Sequence, residues 1–265
     1  MIMKQKIKNI GNELGFLWQF SLDDLKNKYS NSIIGIGWGF LQPLITIVVY
    51  WFVFQLGFRS QPVEDFPFIL WLVSGLIPWF FISEAIPSAT AVLAEYNYLV
   101  QKVLFNINIL PLVKVVSSFI IQIFLTIILI VMFCVFGYMP DVHYFQLLYY
   151  AVYMTVLTAG VCYITAALYI FLKDVIQIVS IVLQILFWFT PIVWNISVMP
   201  EKLQVILKYN PVYFIVRGYR KTFIYKEWFW TDGIMSLYYW TIALVIFVLG
   251  IKLFRKLKPH FADVL

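Results

Sequence analysis

Residues 210–223 read NPVYFIVRGYRKTF. The stretch opens with a helix-breaking proline, holds four aromatic residues and three cations, and is flanked by long apolar runs. The side of the membrane on which it sits decides how many helices the chain can have. Working outward from it, uncharged runs occupy 29–58, 66–83, 115–140, 142–172, 175–200 and 233–251. A helix needs about 20 mostly apolar residues to cross the hydrocarbon core of a bilayer, so these are six candidate transmembrane helices. The second extends past Glu84 to about residue 94, because Pro78 and Pro87 bend a membrane helix rather than end it. The runs are continuous instead of alternating, which argues against strands.

Lys and Arg in the connections set the orientation, since cytoplasmic loops carry the excess. With both termini in the cytoplasm, twelve cations fall inside, among them Lys26, Lys28, Lys102, Lys114 and Lys173. Only Arg59 falls in the first two outer connections. The third, 201–232, breaks the pattern with six cations against three acids. Proline placement offers the resolution. Pro191 and Pro200 interrupt the fifth run late, so its helix is expected to end near residue 189. Two short segments, about 192–207 and 211–224, then dip back into the outer leaflet as a re-entrant helix pair between helices 5 and 6. Irregular backbone at membrane depth is tolerated only where protein buries it or it lines a water-filled path. The region therefore reads as part of a conduit.

Composition agrees. Hydrophobic residues make up 63% and charged residues 12%, against about 25% charged in soluble domains. Aromatic residues reach 20%, an excess that anchoring at the lipid interface accounts for in part. The net charge of +6 comes mostly from juxtamembrane stretches and is no sign of nucleic-acid binding. No GxxxxGK[ST] loop occurs, so ATP is not expected to bind this chain by that route. His143 and His260 are the only histidines, and no metal-ligand spacing is present. Cys134 and Cys162 lie in apolar runs and read as packing residues. None of the 13 acids forms a close pair well inside a span, which argues against an ion-coupled carrier. A membrane-bound transferase would lack visible catalytic groups. The opening MIMKQKIKNIGNELGF has no apolar core followed by a small-residue cleavage site, so no cleaved signal peptide is expected.

The N-terminal stretch differs from the spans. Apolar residues recur at Leu14, Leu17, Trp18, Leu22 and Leu25, with Asp23, Asp24, Lys26 and Lys28 mostly between them. That pattern fits an amphipathic helix lying in the inner interface, with Lys26 and Lys28 placed to meet a lipid phosphate.

Several stretches resemble the permease subunits of ABC-2 type polysaccharide exporters, a family that includes teichoic-acid, O-antigen, capsule and rhamnan exporters. They are LKNKYSNSIIGIGWGFLQPLITIVVYWFVFQLGF, DFPFILWLVSGLIPWFF, EYNYLVQKVLFNINILPLVKV, LKDVIQIVSIVLQILFWFTPIVW, LKYNPVYFIVRGYRKTFI and the closing KLKPHFADVL. In order they cover nearly the whole chain. The expected fold is all-α: one membrane domain over 1–265, with a cytoplasmic interfacial segment at 1–34, the membrane domain at 35–255 and a cytoplasmic tail at 256–265.

The resemblance implies a homodimer in a bacterial cell (inner or plasma) membrane, above two ABC ATPase subunits that carry the ATP and magnesium. This chain would hold no cofactor and no catalytic residue. The cargo would be a polymer on undecaprenyl diphosphate. The coupling segment would be Tyr98, Leu99, Val100, Gln101 and Lys102, with the Lys173–Asp174 turn as a smaller contact. Gln101 and Asn106-Ile107 depart from related sequences, which often show a second Lys and a Pro-Arg pair there. Sugar C–H faces stack on rings, so Trp188, Trp194, Tyr213 and Tyr219 are expected along the polymer path. Lys26, Lys28, Arg217 and Arg220 are expected to meet a diphosphate or phosphate-bearing polymer through charge-assisted hydrogen bonds. An ABC-2 permease for drugs or lipids is the alternative. The Lys-, Ile- and Tyr-rich composition leans toward a Gram-positive wall polymer.

Overall fold

The computed structural model describes residues 2–30, 32–59, 62–63, 66–100 and 106–264. Among them the only extended pairing is an isolated bridge between Val63 and Phe66; nearly everything else is helix. The long helices are α1 (Ile2–Lys28), α2 (Gly37–Trp51, continuing as a π-helix to Gly57) and α3 (Phe68–Thr90). Two single turns follow, α4 (Val92–Glu95) and α5 (Asn97–Val100). Then come α6 (Leu110–Val135), α7 (Gln146–Phe171) and α8 (Val175–Phe189). The chain finishes with α9 (Glu201–Lys208), α10 (Pro211–Arg220, continuing as a π-helix to Tyr225), α11 (Ile234–Leu257) and α12 (Phe261–Val264).

Among the described residues, five stretches are long and apolar enough to cross a membrane: Gly37–Gly57, Phe68–Thr90, Ile107–Val135, Val142–Phe171 and Ile234–His260. The protein is a multi-pass, α-helical membrane protein. Of the six candidate spans, the fifth corresponds to α8, which ends at Phe189 near the expected position and has 15 residues. At 1.5 Å per residue it reaches only about 22 Å, short of the ~30 Å hydrocarbon core.

Helix α3 is the centre of the bundle. Leu70, Val73, Leu76 and Ile77 are fully buried on different sides of it. Helices α2 and α11 expose apolar side chains along most of their length instead, including Ile45, Val48 and Phe52 on the first and Leu244, Val245 and Leu249 on the second. Inside a bilayer there is little hydrophobic drive between helices, so close backbone approach at small residues matters more. Helices α7 and α11 meet this way: a Cβ on Gly160 would lie 2.6 Å from the Phe247 amide, and one on Gly250 would strike the Gly160 carbonyl.

Ring contacts mark the two ends. Phe133–Phe223 (4.9 Å) and Tyr150–Phe214 (5.4 Å) gather the start of α7, the end of α6 and α10. At the other end, Tyr163–Phe254 (5.3 Å) and Phe254–Phe261 (5.2 Å) join the ends of α7 and α11 to α12. Helix α1 packs on α6 near this second end. In this contact Ser21, Asp24 and Leu25 are buried, while Leu14, Phe16 and Trp18 are at least half exposed. A charge can dock this way only if it meets partners, and Asp24 does.

Candidate functional site

The chain between α8 and α11 holds the elements read from residues 210–223. Helix α8 ends at Phe189, and Thr190 is already extended. A helix end leaves carbonyls without partners. Thr190 N and Trp194 Nε1 satisfy two of these, those of Leu186 and Trp188. Just past the helix Arg220 holds the turn, donating from Nη1 to the Pro191 carbonyl and from Nη2 to the Ile192 carbonyl, both at 2.6 Å. Its guanidinium carbon also lies 3.5 Å from the centre of the Trp71 ring, a favourable cation–π arrangement. Gly75 makes room for it, since a Cβ there would come within 2.8 Å of Nη2. Helix α10 starts at Pro211, and the Asn210 side chain accepts from the Val212 amide at 2.9 Å. Proline at a first helical position costs no hydrogen bond. Gly218 then lets α10 lie directly against the Tyr150 ring. The segment ends at Lys226, in the left-handed region at φ 54°, whose ammonium is 2.8 Å from Asp141.

A cavity of about 580 Å³ opens among α2, α3, α6 and α8. One wall is aromatic: Tyr50 and Trp79 pack on Phe187 at 5.8 and 5.5 Å, and Trp188 adjoins it at 5.3 Å. Amides and hydroxyls of Gln42, Thr46, Ser118, Gln122, Ser180 and Gln184 also line it, together with aliphatic groups such as Leu76, Ile121 and Leu183. Gln122 lies at the middle of α6 and donates to the Tyr219 hydroxyl at 2.9 Å. Its Oε1 is buried without a partner. The cavity and α10 are therefore joined through one amide.

Glu84 also lines this cavity and is bonded to Lys28. Burial works against the charge on Lys28, and the Glu84 carboxylate more than offsets it, raising the lysine above its ordinary value. Beside them is a second cluster that sequence reasoning missed. Asp24, 2% exposed, accepts from Lys114 Nζ at 2.6 Å and from the Tyr96 hydroxyl at 2.7 Å, and Ser117 Oγ is 2.9 Å away. Lys114 also meets Glu95 at 2.9 Å. Burial, then the Asp24 carboxylate, push Tyr96 well above its ordinary value, so it stays a donor. A lysine inside the apolar LPLVKVVSSF was the available signal, but no spacing rule ties it to a carboxylate 90 positions away.

The other expected site residues are dispersed. Trp188 lines the cavity and is about half exposed, whereas Trp194, Tyr213 and Tyr219 do not line it. Trp194 donates from Nε1 to the Trp188 carbonyl at 3.1 Å. Tyr219 is buried against Gln122. Tyr213, Arg217 and Arg220 line a separate pocket of about 350 Å³ at the other end of the bundle from Asp24. Lys26 is exposed, 4.0 Å from Asp23. Tyr98 is exposed, Leu99 half-buried and Val100 buried; Gln101 and Lys102 lie outside the described residues. Lys173 sits over the Tyr169 ring at 4.7 Å, next to exposed Asp174 at the start of α8.

Residues 17–224 match the model of the ABC-2 type transporter family. The chain is similar over its full length to two O-antigen export system permease proteins RfbA of Klebsiella pneumoniae, with 27% and 28% identity and all of both chains covered. It is 24% identical to the Myxococcus xanthus protein of the same name, over 98% of this chain and 99% of the other. With the family model covering most of its length and its helices arranged around an aromatic and amide-lined cavity, the chain belongs to the ABC-2 type transporter membrane family.

Proposed function

We propose that this chain is the membrane permease subunit of an ATP-driven exporter that moves a lipid-linked cell-surface polysaccharide of O-antigen type from the cytoplasm to the outer face of the membrane. The names of its full-length relatives support the reading. The observation that carries it is the cavity lining, which combines a wall of rings with uncharged amides and hydroxyls. Rings offer faces for sugar C–H groups, and amides take up hydroxyls without a deep binding well. A polymer can slide past such a surface.

In this reading α8 completes six crossings, α1 lies in the inner interface, and α9 with α10 forms a re-entrant pair. Both termini are cytoplasmic, in the bacterial inner or plasma membrane. Two copies of the chain close the path between their exposed α2 and α8 faces. Two ATPase subunits, carrying the ATP and magnesium, engage residues 98–102 and the Lys173–Asp174 turn. Lys26 and Lys28 receive the diphosphate of an undecaprenyl carrier, which competes with Glu84 for Lys28. Glu95 and Tyr96 precede the coupling segment directly, so their bonds to Lys114 and Asp24 pass its displacement to α1 and α6. Gln122 carries the movement on to Tyr219 and α10.

Depleting the protein in its host and extracting polyprenyl-linked material tests this. Polymer should accumulate inside the cell, and its phosphate content separates a teichoic acid from a neutral glycan. No accumulation, with surface polymers unchanged, would overturn the reading in favour of drug or lipid export.

A further inference from the structure

The 350 Å³ pocket between α9, α10 and the α8 exit is lined by Lys208, Arg217 and Arg220, with Glu227 the only carboxylate among the described residues of its wall. Its charges do not cancel. Glu227 and Asp232 are both engaged by Lys221, which is 1% exposed and lies 3.4 and 2.7 Å from them. Asp232 also takes Arg217, at 3.2 Å. Counting these groups together, four cations (Lys208, Arg217, Arg220, Lys221) face two carboxylates (Glu227, Asp232), a surplus of two positive charges.

Two groups show where the surplus is. Lys208 is half-buried and pairs with no carboxylate among the described residues. Arg220 is 5% exposed, both its terminal nitrogens are held by carbonyls, and its Nε is buried without a partner. Partly buried cations in low dielectric strongly favour an anion beside them. The remaining wall combines the polar Asn195 and the rings of Trp71, Tyr213 and Tyr225 with Pro191 and Ile196. The volume lies within the 300–1,000 Å³ usual for small-molecule sites.

We propose that this pocket binds a phosphoryl dianion, with Lys208 and Arg217 as its direct ligands and Arg220 as the fixed positive charge behind them. The dianion belongs to a polyprenyl diphosphate headgroup or to a phosphate free in solution or on a polymer. Both present the same oxygens to the same cations. The site stands on its own geometry and does not depend on the export reading: a failed depletion experiment would leave it intact, and its absence would leave that reading intact.

Calorimetric titration of the full-length chain, in nanodiscs of phosphatidylcholine alone, tests it with inorganic diphosphate and with farnesyl diphosphate, farnesol being the neutral control. Saturable binding is expected, at least ten-fold weaker in Lys208→Gln and in Arg217→Gln. Arg217→Gln also releases Asp232, so Lys208→Gln is the decisive variant. Lys202→Gln, exposed on the same short helix, should change nothing. Equal affinity for the two probes assigns recognition to the phosphoryl group alone. Farnesyl diphosphate binding at least ten-fold tighter, with the same loss in Lys208→Gln, assigns it to a lipid headgroup. No saturable binding of either probe, or an equal loss in Lys202→Gln and Lys208→Gln, overturns the proposal.

Discussion

Lys114 and Lys221 are the two buried lysines of the described chain, and their surroundings are made from the same parts. Each lies between a buried aspartate and a half-exposed glutamate: Asp24 and Glu95 for the first, Asp232 and Glu227 for the second. What differs is reach. Lys114 and Asp24 are 90 positions apart, whereas Lys221 and Asp232 are separated by 11. Closing a loop costs ~0.6 kcal/mol more for each doubling of its length, so the longer link carries about 2 kcal/mol of extra closure entropy. It forms only once α1 has docked on α6. The shorter one is a clasp within a single connection. The same chemistry thus serves as a tertiary staple at one end of the bundle and as a local loop fastener at the other.

The largest effect is expected from Lys114→Met. It leaves Asp24 buried with only hydroxyl donors, and breaking one side of a buried pair costs about 3–5 kcal/mol. The thermal unfolding midpoint in detergent should fall accordingly. Adding Asp24→Asn should recover most of the loss, because the uncompensated charge is then gone. A double variant no more stable than the single one would break the idea of a staple.

Lys221→Met should cost less, about 1–3 kcal/mol, since Asp232 retains Arg217 at 3.2 Å. The same melting experiment decides it. A loss as large as that of Lys114→Met would erase the distinction between the two ends.

The smallest effect concerns Asp141, which ties the 136–145 connection to Lys226. Burial acts to raise this carboxyl, but hydrogen bonds from Lys226 and His143 outweigh it and hold it below its ordinary value of 3.8. A depressed carboxyl contributes stability that is present above the unfolded value and lost as pH falls through the folded one. Pepsin cleavage in this connection should therefore increase as pH drops below 3.8. Lys226→Gln should abolish that increase. Acid-dependent cleavage that persists unchanged in the variant would show that the fastening lies elsewhere.

Much of the helix plan could be read without coordinates. The apolar runs mark α3, α6, α7 and α11, and Pro191 places the end of α8 at Phe189. Asn210-Pro211 marks the start of α10 through capping chemistry that acts over two or three residues. Of the expected path aromatics, Trp188 alone lines the larger cavity. Trp194, Tyr213 and Tyr219 share its composition but not its direction, which depends on the helix each one meets.

By itself the amino-acid sequence determined that this is a membrane protein built of helices, and where most of them begin and end. Hydrophobic length and capping are local properties, written within a turn or a span. Only the tertiary structure decided that Asp24 turns inward to Lys114, that Arg220 holds the turn after α8, and that Gln122 links the cavity to α10. Each of these joins residues 28 to 97 positions apart. A buried polar group is stable only where its partner arrives from elsewhere in the fold, and no local pattern says which partner that will be.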